Sequence, residues 1–348
     1  MKSSFEPVLT KRKAVRFICF LLFFLVYLYL MPGCKKNSVS AEHGNNNGNN
    51  NPPGTITCTG AKADAENIQL FPADNAWNLD ISASQVDPYN TDIIAGFSAN
   101  AIKADFGSGL WEGVPIGIPY TVVCGTQTKY PVTFRANSYD DDYGDQSDAG
   151  PYPIPLNTPI EGNGDGDSHV IAIDKENKIL YELYNASVNN GHWEASSGAI
   201  FDLKTNTLRP AGWTSADAAG LPIFPGLVRY EEILKGTIDH PIRFTLPSSK
   251  VKPAYISPAR HKVNSSGAAL SSLPFGARIR LKAGFNITNF SATNKIILQA
   301  MKKYGLILAD IGSSLYITGA PDERWNNDDL QLLGQVHGSD FEVVKFNN

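Results

Sequence analysis

Short runs of apolar residues, many of them alternating with polar ones, recur from about residue 118 to the end of the chain. They are rich in β-branched and aromatic residues and are bounded by Gly, Pro, Asn or Asp, a pattern typical of short strands ending in turns. The predicted strands are IPYTVV, YPVTF, HVIAI, ILYELY, AIFDL, IRFTL, ARIRLKA, LILADI, SLYIT and FEVVKF. We expect mostly antiparallel sheets arranged as a β-sandwich or jelly roll.

Helical periodicity is convincing in three segments only. They are residues 227–236, residues 291–305 with Ser291 or Thr293 as the N-cap, and residues 321–334. The predicted fold is therefore mostly β with a few packed α-helices.

The N-terminus has the pattern of a secretory signal over residues 1–33, with a basic region followed by the apolar run FICFLLFFLVYLYL. This run is too short for a comfortable membrane span. Its end resembles a bacterial lipoprotein signal, in which a cysteine, here Cys34, is lipidated, although Met31 and Pro32 depart from the usual small aliphatic pair. We predict a membrane-anchored, extracytoplasmic lipoprotein of the outer membrane or cell surface. An uncleaved N-terminal anchor is the alternative.

Residues 34–54 form a polar, Asn-rich tract that ends in a proline pair, and they are predicted to be a disordered tether. Residues 55–348 show no further low-complexity break and no internal repeat. We expect them to form a single β-rich domain that is catalytic or binding.

Charge and motifs exclude several classes of protein. Residues 1–33 carry five basic groups and one acidic group, so their removal lowers the formal charge from -4 to -8, and nucleic acid is not an expected partner. The chain has no G-x-S-x-G, no P-loop and no G-x-G-x-x-G in a strand–helix context. An α/β-hydrolase, a kinase and a nicotinamide enzyme are therefore not expected, and neither is a nucleotide cofactor.

Two cysteines lie in the folded part, Cys58 and Cys124. In an oxidising compartment they can form a disulfide, and a free buried Cys124 is the alternative. They are too few for a Cys/His metal cluster or a thiol enzyme with its partners.

The segment EGNGDGDSHVIAID, residues 161–174, places acidic and amide side chains directly before a strand. Their alternation with small residues is a pattern that Ca²⁺ can use, through Glu161, Asn163, Asp165 and Asp167. Ser168 stands where the sharp-turn glycine of a calcium loop belongs, and no closing Glu follows. We favour an edge of an active cleft that presents Asp167 and His169, with calcium as the second interpretation.

The register of the following hairpin, HVIAIDKENKILYELYNA, decides which side chains meet. A loop of residues 175–177 puts His169 and Glu182 on opposite faces, whereas adding Lys178 to the loop brings them to one face. The sequence fits both registers.

Glu194 follows Trp193, and the next strand ends at Asp202. Acid catalysis on a sugar needs one carboxyl held protonated by an apolar neighbour and a second one kept ionised. Glu194 has such a neighbour. The alternative is a strand-edge Glu beside a packing Trp.

The Gly- and Pro-punctuated segment 209–232 contains Trp213, Asp217, Arg229 and Tyr230. Such a loop suits the floor of a cleft. Alternatively, Thr214 or Ser215 caps a short turn through Asp217, which gives these polar residues a structural role.

His240, Tyr255, Arg260 and His261 lie at predicted strand ends. A cleft with these side chains can neutralise a uronate carboxylate and move a proton, as β-elimination by a polysaccharide lyase requires. Structural hydrogen bonding is the alternative. Asp310, at the end of an apolar strand, allows the same two interpretations.

Five Trp residues, several beside carboxylates, suit stacking on sugar rings. Our leading hypothesis is an extracellular glycoside hydrolase that cleaves a polysaccharide with a carboxylate pair drawn from Asp167, Glu182, Glu194, Asp202 and Asp217. The alternatives are a polysaccharide lyase, using His169, Tyr255, Arg260 and His261, and a non-catalytic glycan-binding or structural surface lipoprotein.

From about residue 70 to 345 the chain resembles an uncharacterised family of secreted bacterial proteins. The resemblance is carried by FPADNAWN, GDSHVIAID, LYELYNA, SGAIFDL, RPAGWTSADAAGLPIFPGLVRYEE, GTIDHPIRFTL, SPARH and YGLILADIGSSLYITGAPDERWN. It implies no activity and assigns no catalytic residue.

Overall fold

The computed structural model describes residues 60–135 and 142–346. Residues Gly54–Asn348 form one compact unit. The predicted signal, the lipidation site Cys34 and the tether of residues 34–54 lie outside the described residues. Cys124 is disulfide-bonded. Cys58 lies outside the described residues, so the Cys58–Cys124 pairing stays a prediction.

The largest sheet has six strands. In spatial order they are β1 (Lys103–Asp105), β16 (Tyr316–Thr318), β11 (Ile242–Leu246), β15 (Leu306–Ile311), β14 (Arg278–Leu281) and β17 (Phe341–Val343). The pairs β1–β16 and β11–β15 are parallel, and the other three pairs are antiparallel.

A second sheet has four strands. In spatial order they are β10 (Ser197–Asp202), β7 (Ile179–Tyr184), β6 (Val170–Asp174) and β4 (Thr121–Val123). Only the β4–β6 pair of this sheet is parallel.

Three small sheets complete the described strands. They are β2 (Leu110–Trp111) with β3 (Val114–Pro115), β12 (Val251–Tyr255) with β13 (Leu273–Phe275), and β5 (Val132–Phe134) with β9 (His192–Ala195) and β8 (Ser187–Asn189). All ten predicted strands are present.

The helices are short. They are α1 (Lys62–Ala65), α2 (Asn90–Ala95), α3 (Tyr230–Lys235), α4 (Ala292–Lys303) and α5 (Asn327–Gln331). The Ser291 side chain caps α4 by accepting a hydrogen bond from the Asn294 amide, as the sequence predicts for a serine N-cap. The prediction of a mostly β fold with a few packed helices is confirmed. None of the described helices has the length and apolar character needed to cross a bilayer.

The four-stranded sheet lies between two hydrophobic cores. Ile171 and Leu180 pack in the large core, which they share with the six-stranded sheet. Val170 and Leu183 point to the other face and pack in a smaller core around Trp193. A strand covered on both faces cannot keep one polar face, which explains why every residue of β6 is buried.

The β6–β7 hairpin has the longer of the two predicted loops. Asp174 pairs with Ile179, so residues 175–178 form the loop, and Ile171 pairs with Glu182. This register brings His169 and Glu182 to one face of the hairpin, toward the large core.

Candidate active site

A cleft with a volume of about 380 Å³ opens beside one end of the four-stranded sheet. Its walls come from loop 161–169 before β6, the end of β7, the start of β10, the 214–218 loop, the end of β15, and the segments that carry Tyr143 and residues 263–264. The side chains that give it chemical character are Tyr143, Asp167, Tyr184, Asp217, Asn264 and Asp310.

Arg243 on β11 connects two of the carboxylates of this cleft. Its Nε donates to Asp217 Oδ2 at 3.1 Å and its Nη2 donates to Asp217 Oδ1 at 2.9 Å, so the pair is bidentate. The same Nη2 also donates to Asp310 Oδ2 at 3.3 Å. Arg243 and Asp217 are both buried. Burial raises the pKa of Asp217, and the guanidinium of Arg243 opposes this effect.

The side chain of Asp310 lines the cleft and is 22% exposed. Burial, together with the negative charge of Asp217, raises its pKa to about 7, although Arg243 and the Ile311 amide oppose the rise. Ile311 N donates to Asp310 Oδ1 at 2.7 Å. The raised pKa favours the protonated form of Asp310 relative to an ordinary aspartate, and a carboxylic acid in a cleft can donate a proton.

His169 does not project a free nitrogen into the cleft. Its Nδ1 lies 2.5 Å from Glu161 Oε2, and its Nε2 lies 2.9 Å from the carbonyl oxygen of Ala216. Since both neighbours are acceptors, both ring nitrogens donate and the ring is an imidazolium. Burial lowers the pKa of His169, but the charge and hydrogen bond of Glu161 outweigh it and raise the pKa to about 9. His169 thus ties the 161–169 loop to the 214–218 loop.

Glu182 lies on the same face as His169 but has no exposed surface. Its Oε1 accepts hydrogen bonds from the amides of Ile223 and Phe224, both at 2.9 Å. Burial raises its pKa to about 7, and these two amides oppose the rise. Its contacts hold Ile223 and Phe224 against β7, and it does not line the cleft.

Three sequence candidates lie away from the cleft. Glu194 is in β9, which directly precedes the strand β10 that ends at Asp202, and it accepts a hydrogen bond from Asn189 Nδ2 at 2.8 Å. Its neighbour Trp193 is fully buried and donates from Nε1 to the carbonyl of Ile154 at 3.0 Å. Asp202 is exposed at the end of β10. None of these three side chains lines the cleft.

A separate network holds three more candidates. Arg229 is buried and pairs with Glu66 at 2.6 Å and with Glu232 at 2.8 Å. His240 Nε2 lies 2.8 Å from Glu232 Oε1. The Tyr230 ring packs against Trp325, and Cζ of Arg324 lies 4.5 Å from the centroid of the Tyr230 ring. These contacts hold α3 to its neighbours.

The remaining candidates lie around the cleft or apart from it. The His261 ring packs edge-on against Tyr143 at 5.4 Å, and its Nδ1 lies 2.8 Å from the carbonyl oxygen of Ala218. Burial lowers the pKa of His261, so it is neutral at pH 7. Arg260 Nε donates to the carbonyl of Arg209 at 2.8 Å. Trp213 lies beside the Arg209 guanidinium, and Tyr255 is half-buried in β12.

Calcium binding was the second interpretation of the acidic segment, in the loop of residues 161–167. In residues 60–135 and 142–346, no group of three or more His, Cys, Asp or Glu side chains is arranged to hold a metal ion. Glu161 is already paired with His169, while Asn163, Asp165 and Asp167 are exposed. A calcium ion stays a prediction, and no chemistry is assigned to it.

Of the sequence candidates, Asp167, Asp217 and Asp310 line the cleft, and His169 and His261 lie behind its wall. Sequence reasoning missed Arg243, although its position inside the apolar strand IRFTL was a usable signal. A buried arginine needs hydrogen-bonding partners, and those of Arg243 are the carboxylates of Asp217 and Asp310.

Comparison of the chain with protein-family models, with curated proteins and with solved structures gave no match in any of the three. The resemblance to a secreted bacterial family therefore stays a prediction.

Proposed function

We propose that the protein is a glycoside hydrolase of the cell envelope, tethered through Cys34, that cleaves a polysaccharide in the Asp310 cleft. The observation that carries the proposal is the pair of unlike carboxyl groups in one cleft. Asp310 is partly buried with a pKa raised to about 7, and Asp167 is exposed to solvent. Glycoside hydrolysis needs one protonated and one ionised carboxyl group.

In this scheme Asp310 protonates the glycosidic oxygen as the bond to the leaving sugar breaks. The carboxylate of Asp167 stabilises the positive charge that develops on the sugar ring, or activates the attacking water. Tyr143 and Tyr184 offer aromatic surface for stacking on sugar rings. The ion pair of Arg243 with Asp217 is a positioning element, because Arg243 also holds Asp310.

The charges of the cleft favour a neutral glycan over a uronate polymer. Among the described residues that line it, none is Lys, Arg or His. Arg243, behind the wall, already pairs with two aspartates. A uronate carboxylate would meet Asp167 and Asp310 without a free cation to neutralise it. The lyase alternative also needs a base in the cleft, but both nitrogens of His169 are occupied and His261 does not line the cleft.

The test uses residues Gly54–Asn348, the compact unit that contains both cores, with a panel of neutral and acidic polysaccharides. New reducing ends report hydrolysis, and ultraviolet absorbance of unsaturated uronates reports elimination. We expect reducing ends only, reduced about 10²-fold or more in Asp310→Asn and Asp167→Asn. Glu194→Gln and Asp202→Asn are matched controls outside the cleft and should retain wild-type activity.

Full activity of both cleft variants would contradict the proposal. Unsaturated products would support the lyase alternative instead. Saturable glycan binding without any product over long incubation would support a binding protein.

A further inference from the structure

The strands β2 and β3 form a small ribbon joined by Glu112 and Gly113. Both joining residues have positive φ, 50° and 90°, as in the tight turns that suit a twisted two-stranded ribbon. Both side chains of the two-residue strand β2 are exposed. Leu110 is 66% exposed and Trp111 is 69% exposed.

Among the large apolar side chains that the structure describes, these two neighbours are the most exposed. By contrast, Trp77, Trp193 and Trp325 are buried. An adjacent Leu–Trp pair raised on a ribbon has no role in either core, and such exposed apolar groups mark an interaction site.

The place where the preceding chain enters the described fold indicates the partner. Gly60 pairs with Val122, and Lys62 lines the same cleft as Gly109, directly before the ribbon, and Pro115, in its second strand. The sequence predicts a lipid on Cys34, and the residues from there to Gly60 span at most about 90 Å. Because Lys62 lies near the ribbon, a lipid on Cys34 would keep the ribbon within reach of the bilayer.

We propose that the β2–β3 ribbon inserts Leu110 and Trp111 into the surface of a lipid bilayer as a second membrane contact. Trp is favoured at the boundary between water and lipid, where its ring is apolar and its N–H stays solvated. The turn carries one acidic residue, Glu112, and residues 110–114 contain no basic one. Binding therefore depends on apolar insertion, and anionic lipid does not strengthen it. The proposal is independent of the hydrolase activity.

The test is sedimentation of residues Gly54–Asn348, which lack Cys34, with phosphatidylcholine vesicles. Wild type should co-sediment, and its tryptophan emission should shift to shorter wavelength because Trp111 leaves water. The affinity of the double variant L110S/W111S for the vesicles should be lower than that of wild type by a factor of roughly ten or more. The double variant L234S/L270S removes two other exposed leucines and should bind like wild type. Added salt should not weaken binding.

Absence of vesicle binding by wild type would overturn the proposal, and so would equal binding by L110S/W111S. The ribbon also borders a cleft of about 610 Å³ with Tyr316 and Gln331 in its wall. If L110S/W111S abolishes binding to a soluble glycan, or dissociates a dimer, while vesicles are not bound, the ribbon has that partner and not a bilayer.

Discussion

Removal of the Arg243 side chain should destabilise the fold strongly. In Arg243→Met, the side chain of Asp217, which has no exposed surface, would lose its bidentate partner and remain as an unpaired buried carboxylate. Breaking a buried ion pair by removing one partner costs about 3–5 kcal/mol. Met fills part of the same volume, so a cavity adds little to this loss.

Urea denaturation of residues Gly54–Asn348 at pH 7 measures the effect, as a lower midpoint with an unchanged slope. The double variant R243M/D217N removes both charges and should recover most of the lost stability. Lys235→Met removes one partner of an exposed pair with Asp239 and should cost at most about 1 kcal/mol. A loss below about 1 kcal/mol in R243M, or a double variant as unstable as R243M alone, would refute the reasoning.

Three further predictions concern the surroundings of the cleft. Because the folded-state pKa of His169 is about 9 against an ordinary 6.5, its stabilising contribution is complete below pH 6.5 and lost as pH rises through 9. The melting temperature should fall across that range in wild type, and less in His169→Gln. Glu182→Ala leaves the amides of Ile223 and Phe224 unpaired and should cost about 2 kcal/mol or more in urea unfolding, whereas Glu182→Gln keeps an acceptor and should cost less. A chelator should leave the melting temperature unchanged, since Glu161 is held by His169; a drop reversed by Ca²⁺ would restore the calcium interpretation.

The strands could be predicted because alternating β-branched and aromatic residues end at turn residues, and all ten predicted strands form. The register of the β6–β7 hairpin could not be predicted. Lys178 adopts a positive φ of 56°, a conformation that Asn177 would adopt more readily, so the shorter loop was equally acceptable on local grounds. Packing of Ile171 and Leu180 into one core accounts for the longer loop.

The cleft was predicted only in part. The segment before β6 and Asp217 were recognised because polar residues stood out in their loops. Arg243 and Asp310 were harder to place, because their strands β11 and β15 are adjacent in the sheet but more than 60 residues apart in the chain. Nothing local indicates that these strands pair in parallel, so the shared carboxylate cluster is visible only in the folded chain.

The measurement that tests the central claim most directly is the pH dependence of polysaccharide cleavage by wild type and by Asp310→Asn. If Asp310 is the acid, wild-type activity declines as pH rises through about 7, because the proton is lost. The Asp310→Asn variant should be about 10²-fold or more slower and lack that decline. Equal activity of the two proteins, or the same alkaline decline in both, would contradict the assignment of Asp310 as the proton donor.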